Sequence, residues 1–93
     1  MDNLSLLKSP NQINKDIALR IKKRRKEKNL TQAQLSKRSD VSLGSIKRFE
    51  TTGEVSLTSL IKIAFALGLE ADFDSLFSKK GYSSIQEVIN DRP

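Results

Sequence analysis

Between Thr31 and Glu50 the chain reads TQAQLSKRSDVSLGSIKRFE, and the residue types there suit contact with a polyanion better than the making or breaking of bonds. Thr31 can cap a helix, which puts Gln32 in the first turn, where a side-chain amide and unpaired backbone N–H groups reach a phosphate together. Ser42 can cap a second helix whose outward side carries small and basic residues. Two short helices of this kind, joined by a tight turn, have the shape of a DNA-reading unit. Bond chemistry has no comparable candidates. The chain contains no histidine or cysteine to act as base or nucleophile and no glycine-rich phosphate loop, and Asp72 and Asp74 sit at an ordinary helix start. No cofactor is expected, and a zinc site would need carboxylates alone, so the reading is of a protein that is not an enzyme and binds no metal.

The elements that position these residues follow from the apolar pattern. On a 3.6-residue period Ala33, Leu35 and Ser36 face inward from the first helix, and Ile46 and Phe49 from the second, with Val41 between them. The break falls at Ser39-Asp40, where Asp tolerates the left-handed backbone region and lets the chain turn without a glycine.

The run Thr31-Gln32-x-x-Leu35-Ser36, followed by Val41-Ser42-x-x-x-Ile46-x-x-Phe49-Glu50, resembles the lambda-type (Cro/C1, or XRE-like) helix-turn-helix family, over roughly Ile13 to Phe77. The resemblance implies an all-α fold: a compact five-helix lambda-repressor-like DNA-binding domain with a short C-terminal tail. It places helix 42–50 in the major groove of double-stranded DNA while the preceding helix crosses the backbone. Carried over residue by residue, Ser42, Leu43, Gly44, Lys47 and Arg48 contact bases, and Thr31, Gln32 and Ser45 contact phosphate. Arg48 can read guanine in bidentate fashion and Leu43 can pack on a thymine methyl. Leu43-Gly44 departs from members with long polar side chains there, which implies modest sequence information and more weight on DNA shape. The resemblance also pairs Arg25 with Glu50 as a structural brace between helix one and the recognition helix.

Charge agrees with this placement. Residues 1–50 hold thirteen Lys/Arg against five Asp/Glu, a balance of +8, whereas residues 51–93 hold four against six, a balance of −2, so the basic half is the half with the motif. Such a face favours phosphate contact and salt-sensitive binding, although a basic run without a motif is equally a solvated surface. No apolar run approaches a membrane span, and MDNLSLLKSPN is too short in apolar residues for a secretory signal, so a cytoplasmic protein is expected.

Taken in order, residues 1–12 read as a flexible N-terminal arm, residues 13–78 as the helix-turn-helix DNA-binding domain and residues 79–93 as a tail. Helix one is expected from about Asn14 to Lys28, capped by Asn11 or Asn14, with Ile13, Ile17, Ala18 and Ile21 buried. Asn29 and Gly53 suit left-handed positions, and Leu30 can return into the core. Helix four is expected over Leu57 to Leu67, capped by Ser56, with Leu57, Leu60, Ile61, Ala64 and Leu67 on its apolar face and Gly68 closing it. Ile63 and Phe65 widen that face, which fits a wrapped bundle and a subunit contact equally well. Residues 72–77 read as a short fifth helix capped by Asp72 or Asp74, with Phe73, Leu76 and Phe77 packing. In the tail, Tyr82, Ile85, Val88 and Ile89 fit a helix or a strand equally and are candidates for dimer or partner contact.

The expected function is a sequence-specific transcriptional regulator, a homodimeric repressor reading a palindromic operator. Compact members with a short tail and a Gly53-Glu54-Val55-Ser56-Leu57 entry to helix four resemble the antitoxin that partners a kinase-type toxin and represses its own operon. The alternative is a protein-interaction module that binds and neutralises a partner with little role for DNA.

Overall fold

The computed structural model describes residues 8–81. Within them five helices follow one another: α1 (Pro10–Glu27), α2 (Gln32–Ser39), α3 (Leu43–Thr52), α4 (Leu57–Ala66) and α5 (Ala71–Asp74). The first four each begin on a hydroxyl that accepts from a backbone N–H three residues on. The pairs are Ser9 with Gln12 at 3.1 Å, Thr31 with Gln34 at 3.0 Å, Ser42 with Ser45 at 3.1 Å and Ser56 with Ser59 at 3.0 Å. Ser9 therefore caps α1, in place of the expected Asn11 or Asn14. Pro10 explains the difference, because a proline at the first helical position has no N–H to lose and a backbone angle already suited to the helix. The helix thereby takes in the last residues of the stretch expected as an arm.

Two helix ends share one geometry. After α1, Asn29 adopts φ 57°, its N–H donates to Lys26 O (2.9 Å), and the Leu30 N–H returns to Arg25 O (3.3 Å). After α4, Gly68 adopts φ 73°, its N–H donates to Phe65 O (3.2 Å), and the Leu69 N–H returns to Ala64 O (2.8 Å). This paired return satisfies carbonyls that a helix end would otherwise leave open, and it carries Leu30 into the core as the sequence suggested. Neither Asp72 nor Asp74 caps α5. Both lie within it, and Glu70, the residue before it, makes no side-chain cap.

Packing runs α1 on α3, α3 on α2 and α2 on α4. The core comprises Ala18, Leu30, Leu35, Val41, Ile46, Phe49, Ile63 and Leu67, with Ile17, Ile21 and Leu60 packed at its edge. Several expected core positions lie elsewhere. Ile13 and Ala33 are exposed, and Ser39 takes the inward place on α2 because its Oγ accepts from the Val41 N–H at 3.3 Å within the turn. On α4 and its C-cap, Ala64 and Leu67 are buried as expected and so is Ile63 of the widened face, whereas Leu57 is 65% and Phe65 63% exposed. Phe77 is 92% exposed at φ 60° and Leu76 is also exposed, so of the three residues expected to pack here Phe73 alone is partly buried.

Gly53 closes α3 at φ 83°, and a Cβ there would lie 2.7 Å from the backbone carbon of Asn14 and 2.8 Å from the nitrogen of Lys15. The glycine is therefore needed twice over. It supplies the left-handed turn, and it lets the end of α3 rest directly on the backbone of α1.

Candidate nucleic-acid interface

The unit expected to meet DNA is built from α2, the turn and α3. Thr31 and Gln34 form a reciprocal cap, with Gln34 Oε1 accepting from the Thr31 N–H at 2.8 Å while Thr31 Oγ1 accepts from the Gln34 N–H. The N–H groups of the intervening first turn, Gln32 and Ala33, precede any intrahelical acceptor and face the helix entrance. At the turn, Asp40 takes φ 59°, as its side chain allows, and Ser36 Oγ donates to Val41 O at 2.6 Å. That bond ties α2 to the residue leading into α3.

On α3, Ile46 and Phe49 are buried and Gly44, Lys47 and Arg48 point to solvent. Gly44 has open space around its Cβ position. Leu43 is only partly exposed, so its contact area toward a groove is smaller than the sequence suggested. The Ser42 hydroxyl accepts from the Ser45 N–H and donates to Ser45 Oγ at 2.7 Å, which makes Ser42 first a cap. Arg48 reaches Glu54 and forms an exposed ion pair with it, so this arginine already has a carboxylate partner. Glu54 is the residue that reading the sequence missed; its only signal was an acidic side chain in the loop six residues after Arg48. It also borders a cleft of about 340 Å³ between α3 and the entry to α4, lined by Ser45, Arg48, Ser56 and Ser59.

Behind this surface lies the brace. Arg25 Nε donates to Glu50 Oε2 at 2.7 Å and Nη2 to Oε1 at 2.8 Å, while Nη1 donates to Leu30 O at 2.7 Å. The guanidinium thus joins α1, the α1–α2 link and α3 at one point. The two side chains are 8% and 3% exposed, so water competes weakly for either. Burial alone would raise the Glu50 carboxyl pKa. The hydrogen bonds from Arg25 and Gln32, with the positive charge of Arg25 and Lys22, outweigh burial and hold it below the ordinary value.

Gln32 occupies a different place from the one its type suggested. Its Nε2 donates to Glu50 Oε1 at 2.9 Å, so the amide is anchored inward to the brace. An amide nitrogen has two hydrogens, and the second is the one available to an outside acceptor. The structure therefore brings Arg25, Glu50 and Gln32 into one connected set, whereas Arg48 is joined to Glu54 outside it. Tyr82, Ile85, Val88 and Ile89 lie outside the described residues. Among the described residues, no helix is long and apolar enough to cross a membrane.

Comparison with known proteins places a helix-turn-helix family model on residues 21–73, from the second half of α1 to α5. No curated protein and no solved structure matches the chain significantly. An XRE-like helix-turn-helix domain is present, and such a domain points to a DNA-binding regulatory role. The matched segment takes in the capped pair α2 and α3, their turn and both residues of the brace, and it covers more than half of the sequence; the chain belongs to the helix-turn-helix family.

Proposed function

We propose that the protein is a sequence-specific double-stranded DNA-binding regulator, a homodimeric repressor that reads a palindromic operator with α3 in the major groove. The observation that carries this reading is the division of α3, which buries Ile46 and Phe49 and turns Gly44, Lys47 and Arg48 outward, while Gln32 at the start of α2 is bonded to Glu50 of the same helix as they are. In it, Lys47 and Arg48 serve the base edges and phosphates of the groove, and Gln32, oriented by Glu50, donates its second amide hydrogen to the backbone. A single module of this size covers little DNA, and two modules about one helical turn apart supply the remaining affinity. The protein acts in the cytoplasm as a binding protein rather than an enzyme, in keeping with a chain that has neither histidine nor cysteine. The specific form to test is an antitoxin that represses its own operon, with a cognate toxin as the protein partner.

The test is a titration of duplexes selected from a random library, followed by fluorescence anisotropy at several salt concentrations. Lys47→Ala with Arg48→Ala weakens binding at least about tenfold and flattens the salt dependence, because each phosphate contact contributes a slope of roughly 0.9. Unchanged affinity in a folded double variant overturns the groove assignment. A second reading, a protein-interaction module, draws support from the exposure of Leu57 and Phe65 on α4. It predicts that the same double variant keeps its partner.

A further inference from the structure

An apolar groove of about 360 Å³ lies between α1, α4 and α5, with Ile21, Leu60 and Leu76 among its walls. Arg20, Arg24 and Asp72 also line it, all three exposed. No residue of α2 or α3 lines the groove, so it is separate from the face assigned to DNA. A cavity of roughly 150 Å³ takes one benzene-sized group, so this groove has room for about two apolar side chains.

The segment that follows, YSSIQEVINDRP, places Tyr82, Ile85, Val88 and Ile89 within eight residues and carries Glu87 and Asp91 against Arg92. Its net charge is negative, whereas the described residues that line the groove include two arginines against one aspartate. Arg24 pairs with Glu27 at 2.8 Å, and Arg20 has no carboxylate partner among the described residues. Reach is no obstacle. Leu76 is already in the groove wall, and even with the turn closed by the Ser78 N–H to Ser75 O bond (3.1 Å), the four steps of chain from Ser78 to Tyr82 span up to roughly 13 Å, about the width of a helix.

We propose that residues 82–89 dock into this groove of their own chain, seating two of their apolar side chains and bringing Glu87 toward Arg20. A tether this short gives the segment an effective concentration in the millimolar range, which a second copy matches only when the protein itself is that concentrated. Docking covers the exposed flank of a core that is thin for its surface, and it leaves α3 open.

Because the chain has no cysteine, Ser84→Cys in the full chain gives one attachment point for a nitroxide spin label. The expected result is loss of amide NMR signal intensity at Ile21, Leu60 and Ala64, unchanged on dilution and absent when labelled, unenriched chains are mixed with unlabelled, nitrogen-15-enriched ones. Adding Ile85→Asp with Ile89→Asp restores the signals while the rest of the spectrum stays dispersed. Intact signals in the singly labelled chain overturn the proposal. Signal loss in the mixed sample also overturns it, by assigning the groove to a second copy.

Discussion

Removing the brace from one side at a time, and then from both, is the sharpest test of how α3 is held. Arg25→Met leaves the Glu50 carboxylate, only 3% exposed, without its cation, and Glu50→Leu leaves a guanidinium that is 8% exposed without its anion. A buried charge stranded in this way costs about 3–5 kcal/mol. A chain of this length has a total stability of roughly 5–14 kcal/mol, so either single variant loses a large share of it, and its Tm falls by roughly 12 °C or more. The double variant removes both charges and fills the space with apolar groups, which is often neutral or stabilising. It still leaves Leu30 O without its guanidinium donor, a cost of about 1–3 kcal/mol. Urea denaturation followed by circular dichroism should therefore find the double variant more stable than either single one. Additive losses would refute the account of a coupled pair. DNA affinity supplies the second half of the test. Gln32 loses its acceptor when Glu50 is removed, so affinity stays low in the double variant although stability returns in part. Acid unfolding reads the same pair. Because the folded-state pKa of Glu50 lies below the ordinary 4.5, the unfolded chain binds more protons between the two values. The contribution of the carboxylate is complete above pH 4.5 and is lost as pH falls toward the folded-state value, so Glu50→Gln flattens the acid limb below that pH.

Two further substitutions, at Gly53 and Glu54, probe the C-terminal end of α3, and Gly68→Ala at the end of α4 serves as the control for the first. Gly53→Ala and Gly68→Ala both place an alanine at positive φ, which costs about 1–2 kcal/mol, but only Gly53 has backbone within 3 Å of the new Cβ. Gly53→Ala should therefore lower the denaturation midpoint clearly more than Gly68→Ala, and equal losses would show that α3 does not rest on α1 as described. Glu54→Gln removes the carboxylate that Arg48 holds. That pair is 69% and 56% exposed, so stability changes by less than about 1 kcal/mol, while DNA affinity rises severalfold at low salt as a competing negative charge disappears. Unchanged or weaker binding would remove Glu54 from the interface.

What could be read before the fold was known divides by the range of the interaction. Caps and helix ends depend on a few adjacent residues, and so Thr31, Ser42 and Ser56, together with Asn29, Asp40 and Gly68, take the roles that their types suggest. The Arg25–Glu50 brace spans 25 residues and became visible only through resemblance, since nothing local distinguishes Arg25 from the basic residues around it. The edges of the α4 face are ambiguous for a different reason: Leu60, Ala64 and Leu67 pack inward as expected, but Leu57 and Phe65 do not. LTSLIKIAFA has apolar residues on most sides, so periodicity alone leaves those edges undetermined, and contact with α2 decides that Ile63 points inward and Leu57 outward. Gln32 is the most consequential case. A glutamine in the first turn of a helix reads as a free donor for phosphate, yet its amide is half engaged by Glu50. The inward bond fixes where the second hydrogen points, so the same contact that removes one donor from the interface makes the other better directed. If that is how α2 meets the backbone, the affinity of this protein for DNA depends on a buried carboxylate that never touches DNA.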